Sequence, residues 1–212
     1  MSHEYLVAGL TRLRPDDSVL SEEGKDDPAR LSASRVWIVD PLDGTREFGE
    51  PDRADWAVHV ALWERGDLVA GAVALPAQGQ VLSTTGPVAL APHVADDPLR
   101  LLVSRSRPPG FVQRLAANLG ALLVPMGSAG AKAAAVINGE ADAYIHSGGQ
   151  YEWDSAAPVA VAMAAGLHAS RIDGSRLAYN QADPSVPDIL ICLAGLAPRL
   201  LAAISDAQRA ES

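Results

Sequence analysis

An apolar segment that ends in two closely spaced carboxylates restricts the fold of this chain more than any other feature. In "VWIVDPLDGTREFGE" (residues 36–50) an apolar run stops at Asp40, passes through Pro41 and reaches Asp43. Pro41 keeps Asp40 extended, and Gly44 permits a tight turn. Two carboxylates at the mouth of a buried strand repel each other unless a cation lies between them. The segment therefore predicts a strand end built around a bound cation.

The rest of the pattern predicts an α+β region followed by an α/β region. Strands are predicted at 18–21, 36–39, 55–66, 67–76 and 79–85, with a tight turn at 64–67, and then at 99–104, 121–125, 141–146, 167–172 and 188–194. Helices are predicted at 4–13, 110–119, 129–138, 155–165 and the C-terminus. The Pro- and Gly-rich segment 86–98 predicts a boundary between an N-terminal α+β lobe (1–97) and a C-terminal α/β lobe (98–212).

Composition narrows the possible partners. The 212 residues are 48% hydrophobic, which is enough for a large domain or two packed lobes. The net charge is −9 with no Lys/Arg block, which excludes a polymeric nucleic-acid partner. No apolar run approaches the length of a membrane span, and no signal-peptide pattern is present. Cys192, the single cysteine, is in an apolar run and indicates a reducing, cytoplasmic setting.

The residues after the apolar strand favour magnesium and phosphate chemistry. Mg²⁺ prefers oxygen ligands; Asp40 could bridge two ions, Asp43 could hold one, and the Leu42 carbonyl could add a ligand. Thr45 and the free N–H groups of the next short helix predict an anion site. Two metals clamp the attacking and leaving oxygens in phosphoryl transfer. These residues predict a metal-dependent phosphate-ester hydrolase.

Other polar residues leave alternatives open. Glu22, beside Glu23, could be a metal ligand or a solvated loop charge. Asp154 could be a metal ligand or the N-cap of the helix that follows. Lys132, inside an apolar helix, could extend to the surface or reach an anion at the helix N-terminus. His59 is interpreted as a packed residue in the middle of a strand.

Several motifs resemble one enzyme family. "WIVDPLDGT", "WDSAAPVAVAMAAG" and "SEE" resemble the signatures of the inositol monophosphatase superfamily of lithium-sensitive Mg²⁺ phosphatases. "DPLDGTREF" and "GSAGAKAAAVINGEADAYIH" resemble its bisphosphate nucleotidase branch, most closely actinobacterial enzymes of the CysQ type. The resemblance implies a layered α-β-α-β-α sandwich in two lobes. It also implies removal of the 3′-phosphate of 3′-phosphoadenosine 5′-phosphate, with inositol monophosphatase or fructose-1,6-bisphosphatase activity as alternatives.

The same resemblance implies a role for individual residues. Glu22, Asp40, the Leu42 carbonyl, Asp43 and Asp154 would hold two or three Mg²⁺ ions, with Mn²⁺ possible and Li⁺ inhibitory. Glu22, Asp40 and Thr45 would be the catalytic residues, and Thr45 would orient the attacking water. The substrate contacts would be Gly44, Thr45, Arg46, Ser128, Lys132 and His146. Three of these, Arg46, Lys132 and His146, predict a preference for bisphosphates. The partner would be a small phosphorylated substrate, and the enzyme a monomer or homodimer.

One expectation concerns the beginning of the chain. Relatives resemble each other in carrying helices before "SHEYL", with an acidic residue that pairs with the Thr as a water-activating dyad. No residue here takes that role, and the apolar face of Leu6, Leu10 and Leu13 needs a partner helix. We expect a truncated chain that turns over poorly, or alternatively a catalytically impaired fragment that binds metal and nucleotide.

Overall fold

The computed structural model describes residues 1–86 and 97–210. Within these ranges the α-helices, six in number, are α1 Ser2–Leu13, α2 Thr45–Phe48, α3 Val112–Leu119, α4 Ala129–Ile137, α5 Glu152–Ala164 and α6 Ala197–Arg209. The strands are β1 Ser18–Ser21, β2 Arg35–Asp43, β3 Ala57–Glu64, β4 Asp67–Leu75, β5 Gln80–Ser83, β6 Arg100–Ser104, β7 Leu122–Met126, β8 Ala143–Tyr151, β9 His168–Ser170 and β10 Ser185–Cys192. Most of the predicted lobe boundary at 86–98 lies outside the described residues, so the proposed division into lobes stays a prediction.

The first sheet has the order β1-β2-β3-β4-β5, with β1 parallel to β2 and the other pairs antiparallel. Ser21 pairs with Val39, so the residue after β1 lies beside Asp40. The prediction that the strand ends at Val39 was wrong, because β2 continues to Asp43. Its pairing with β3 shifts between Asp40 and Asp43. Pro41 is tolerated there because an interrupted ladder does not need its missing N–H group.

The second sheet has the order β7-β6-β8-β10-β9. β6 runs parallel to both β7 and β8, and β10 is antiparallel to β8 and β9. The carboxyl ends of parallel neighbours meet at one edge of a sheet. The segments after β6 and β7 therefore approach the later part of β8.

Two helices from the second half of the chain lie between the sheets. α4 and α5 pack on β3 and β4 on one side and on β8 and β10 on the other, while α3 packs against α6. α1 packs against β2. This arrangement confirms the predicted layered α-β-α-β-α sandwich. Close packing requires small residues: a Cβ added at Gly71 in β4 would lie 2.8 Å from the Ala160 Cβ in α5.

Helix α1 covers the predicted segment but contains no buried residue. Leu6 and Leu10 are partly covered, whereas Leu13 is 70% exposed. Their face forms an apolar groove with Tyr5 and Val60. In the described ranges no helix has the length and apolarity that crossing a membrane requires.

The Cys192 thiol is buried in β10, and this burial raises its pKa to about 12. The thiolate is the reactive species, so we expect the native protein at pH 8 to react with a thiol reagent at least ~100-fold more slowly than the urea-unfolded chain. Stopped-flow absorbance with a chromogenic disulfide measures both rates. Equal rates would show that the strand opens freely in the native state.

Candidate active site

Three carboxylates converge where the first sheet meets the helices of the middle layer. Asp40 and Asp43 come from β2, and Asp154 comes from the first turn of α5. One oxygen of each lies within 4.8 Å of the others. Asp40 is 1% and Asp43 8% exposed. Like charges this close and this poorly solvated are unfavourable without a cation.

Asp40 shows most directly that the cluster fits a metal ion. Its Oδ1 accepts the Leu42 N–H at 2.9 Å, while its Oδ2 is buried without a hydrogen-bond partner. Burial, and then the charge of Asp43, raise the pKa of Asp40 to about 10. Burial and Asp43 also raise the pKa of Asp154 to about 7. An orphaned carboxylate oxygen among acidic neighbours is the ligand that a hard divalent cation takes.

Asp43 is held by the beginning of α4. Its Oδ2 accepts the Ser128 hydroxyl at 2.5 Å and the Gly130 N–H at 2.9 Å. Ser128 is the N-cap of α4, its Oγ accepts the Ala131 N–H at 3.0 Å, and its φ is 42°. A positive φ is strained for a serine, and the Asp43 contact compensates for it. The Ser128 hydroxyl proton is therefore directed to Asp43 rather than to the cleft.

The N-cap interpretation of Asp154 was wrong. α5 begins at Glu152 rather than at the predicted residue 155, and Tyr151 is the N-cap. Asp154 lies in the first turn, where its Oδ2 accepts the Tyr151 N–H at 2.6 Å. Glu152 fixes this turn, because its carboxylate accepts the N–H groups of Asn180 and Gln181 at 2.7 Å each.

His59 joins two parts of the cluster, and it is fully buried, as the packed interpretation requires. Its Nδ1 lies 3.2 Å from the Trp153 carbonyl oxygen and therefore donates to it. Its Nε2 lies 3.3 Å from Asp43 Oδ2. Burial lowers the pKa of His59. The ring fits because residue 130 is glycine: a Cβ there would lie 2.2 Å from His59 Nε2.

The remaining predicted ligands lie at the periphery of the cluster. Glu22 directly follows β1 beside Asp40, is exposed, and does not belong to the three-carboxylate group. Its charge contributes to the raised pKa values of Asp40 and Asp154. The Leu42 carbonyl accepts the Thr45 hydroxyl at 3.2 Å. A carbonyl oxygen has two lone pairs, so this contact leaves one for a cation.

A cleft of about 240 Å³ opens beside the cluster. All six predicted substrate contacts line it: Gly44, Thr45, Arg46, Ser128, Lys132 and His146. Asp43 and Asp154 form part of its wall. The cleft therefore joins the carboxylate cluster to the three cationic or potentially cationic residues that the sequence indicated.

Two of those residues already make hydrogen bonds to carbonyl oxygens within the protein. Lys132 is 4% exposed, so the alternative in which it extends to the surface was wrong. Its Nζ donates to the carbonyls of residues 126, 127 and 128 at 3.4, 2.9 and 2.7 Å, and burial lowers its pKa to about 8. His146 Nε2 lies 2.6 Å from the Gly148 carbonyl oxygen, and burial lowers its pKa to about 4. The His146 ring is therefore neutral near pH 7.

Sequence reasoning missed Glu47, Arg105 and Arg107, which also line the cleft. Arg105 forms ion pairs with Glu47 and Glu50, whereas the Arg107 side chain is exposed. A signal was present, because "RSR" (residues 105–107) directly follows β6. The segment after β6 in a parallel pair must lie near the segment after β7, which carries Ser128.

The layered sandwich and its carboxylate cluster at a cationic cleft define the class of metal-dependent phosphatases. The chain belongs to the inositol monophosphatase family, whose family model matches residues 1–209. This match confirms the resemblance seen in the sequence motifs.

The similar curated proteins lie in the nucleotidase branch. The chain is 54% identical to the 3′-phosphoadenosine 5′-phosphate phosphatase of Mycobacterium tuberculosis over 98% of this chain and 80% of that protein. It is 33% identical to the 3′(2′),5′-bisphosphate nucleotidase CysQ of Escherichia coli over 84% of this chain and 76% of that protein. The Thermotoga maritima IMPase superimposes with a TM-score of 0.81 at 18% identity, covering 99% of this chain and 82% of that one. The last comparison shows the fold.

We predict that Mg²⁺ stabilises the protein and that Asp40→Asn removes this effect. The asparagine keeps the shape of the side chain but removes the free-energy cost of burying or protonating a carboxyl group whose pKa is raised, so the metal-free variant should gain about 1–3 kcal/mol in unfolding free energy. Thermal and urea unfolding with EDTA or with excess Mg²⁺ measure both quantities. Asp16→Asn, at an exposed turn, is the control. An Asp40→Asn variant that keeps the full Mg²⁺ response would contradict the metal assignment.

Proposed function

We propose that this chain is a Mg²⁺-dependent phosphomonoesterase that removes the 3′-phosphate of 3′-phosphoadenosine 5′-phosphate. The observation that carries the proposal is the unpaired Asp40 oxygen, in a carboxylate cluster that opens onto a cleft lined by cations. Relatives with 49–54% identity bear the name of this activity. The inositol monophosphatase structures that superimpose on this chain share 18–22% identity with it, which supports the fold alone.

The cluster would bind the cations, and the adjoining turn would bind the reacting phosphate. Asp40, Asp43 and Asp154, with Glu22 and the Leu42 carbonyl, offer an all-oxygen donor set of the kind that Mg²⁺ requires. Bound cations would neutralise the phosphoryl oxygens and stabilise the charge that develops during displacement. Gly44 and Thr45 lie at the mouth of the cluster and face the cleft. They would position the phosphate and the attacking water.

The second phosphate needs a cation that is not already neutralised. Lys132 donates to three carbonyl oxygens, and Arg105 is paired with two carboxylates. In the described part of the chain, Arg46 and Arg107 line the cleft with exposed guanidinium groups that make no ion pair. Arg107 lies against Gly149, where an added Cβ would be 2.8 Å from Arg107 Nη1. We assign it as the main contact to the second phosphate.

The alternative substrates differ in what they offer to Arg107. An inositol monophosphate has no second phosphate, and fructose 1,6-bisphosphate has one without an adenine ring. The substrate panel therefore consists of 3′-phosphoadenosine 5′-phosphate, inositol 1-phosphate and fructose 1,6-bisphosphate at saturating Mg²⁺. The proposal expects the nucleotide to be hydrolysed best, as measured by phosphate release. Nucleotide binding without phosphate release would instead support the catalytically impaired class.

Replacing Arg107 tests the assignment of the second-phosphate contact. An Arg–phosphate contact is charge-assisted and contributes ~1.5–3 kcal/mol, so Arg107→Ala should lower kcat/KM for the nucleotide by about 10- to 100-fold. The rate with inositol 1-phosphate should change less than ~3-fold. Arg199→Ala, at an exposed position of α6, is the control. An equal loss on both substrates would contradict the assignment.

A further inference from the structure

We propose that Arg105 is a positioning residue which, through Glu47, sets the distance between the Gly44–Arg46 turn and Arg107. In this arrangement the protein selects substrates by the distance between their two phosphates. The inference rests on the proposed function and specifies how the same cleft selects bisphosphates. It also excludes Arg105 as a phosphate ligand, although Arg105 lines the cleft.

All three guanidinium nitrogens of Arg105 are used within the protein. Nε and Nη2 donate to Glu47 Oε1 at 3.1 and 2.8 Å. Nη1 and Nη2 donate to the two carboxylate oxygens of Glu50 at 2.9 and 2.7 Å. The guanidinium thus bridges two carboxylates, and Glu50 also lies 3.8 Å from Arg53 Nε. The two carboxylates compensate the charge of Arg105 and fix its orientation, because a planar guanidinium binds carboxylates in set directions.

Glu47 is the rigid member of this group. It is 7% exposed and lies against the turn that begins α4. A Cβ added at Gly127 would lie 2.3 Å from both Cγ and Cδ of Glu47, so the side chain occupies space that only a glycine leaves. Glu47 therefore contacts the start of α4 and the segment after β6 while it belongs to α2.

The Glu47–Arg105 ion pair lies two residues from each of the proposed phosphate contacts, Thr45 and Arg107. Glu47 follows Thr45 by two positions, and Arg107 follows Arg105 by two positions. Two residues span at most ~7 Å of chain, so a fixed Glu47–Arg105 contact limits how far the two elements can separate. The segment is also tied within itself, because the Ser104 hydroxyl accepts the Arg107 N–H at 3.1 Å. A bisphosphate must bridge this distance, whereas a monophosphate contacts only one side.

Glu47→Gln distinguishes a positioning role of Arg105 from direct phosphate binding, because the two roles predict opposite changes in the preference for the bisphosphate. If Arg105 bound phosphate, removing one of its carboxylate partners would free it and raise or preserve the preference for the bisphosphate. If Arg105 positions Arg107, the same change loosens the pair and lowers that preference. Arg105→Lys keeps the charge but loses the forked geometry, and it should act in the same direction.

The experiment measures kcat/KM for 3′-phosphoadenosine 5′-phosphate and for inositol 1-phosphate in the full chain with saturating Mg²⁺. We expect Glu47→Gln and Arg105→Lys each to reduce the ratio of the two values about tenfold or more, through a change confined to the nucleotide. The matched control is Arg171→Lys. Arg171 also forks onto a carboxylate, that of Asp188, is equally exposed at 29%, and lies outside the cleft.

The outcomes distinguish a failure of the positioning role from a failure of the proposed function. A ratio that stays constant, or that rises in Glu47→Gln, overturns the positioning role while the proposed function stands. Equal losses on both substrates, with a lowered unfolding midpoint, would reduce the pair to a structural contact and also overturn it. A wild-type chain that does not prefer the nucleotide contradicts the proposed function itself, and the inference about Arg105 is then wrong as well.

Discussion

The close approach of three carboxylates is the constraint on which the rest of this structure depends. Asp40, Asp43 and Asp154 come from two distant segments, and bringing them together costs electrostatic free energy in the absence of a cation. The protein meets part of this cost with backbone N–H groups and with the Ser128 hydroxyl. One oxygen of the cluster, Asp40 Oδ2, is buried and has no hydrogen-bond partner. Folding thus prepares the site to be completed by binding.

The position of α4 and α5 between the sheets follows from this requirement. Both helices belong to the second half of the chain, yet they pack on strands of the first half and carry Ser128 and Asp154 to Asp43. Their many alanines allow the close approach that longer side chains would prevent. The site therefore lies where α4 and α5 pack against the first sheet. A change in the packing of these two helices would directly change the positions of the metal ligands.

The fold and the metal motif could be predicted because their signals are local. A buried strand, Pro41 and the spaced carboxylates occupy one short segment, and helix and strand periodicities identified the layers. The partners of long side chains could not be predicted. Arg105 meets Glu47 from 58 positions away, and Lys132 turns back onto carbonyls of its own preceding turn. Nothing in the linear pattern distinguishes a cation that is already neutralised from one that is available.

The extension of β2 was missed for a related reason. A proline normally ends a strand in sequence reasoning, but here it coincides with the register shift between Asp40 and Asp43. The irregular pairing is what allows two residues three positions apart to contribute to one cluster. Regular pairing and its period of two would instead have placed their side chains on opposite faces.

The contact between His59 and Gly130 has a consequence for how such a chain can diverge. The imidazole occupies the volume that any side chain at position 130 would need. The same Cβ would also lie 2.9 Å from Val73 Cγ1 and 3.0 Å from the Ala57 Cβ, so a shorter residue at 59 alone would not make room for it. These three side chains come from β3 and β4. A larger residue at 130 therefore requires changes in both strands, and descendants of this protein should keep a glycine there.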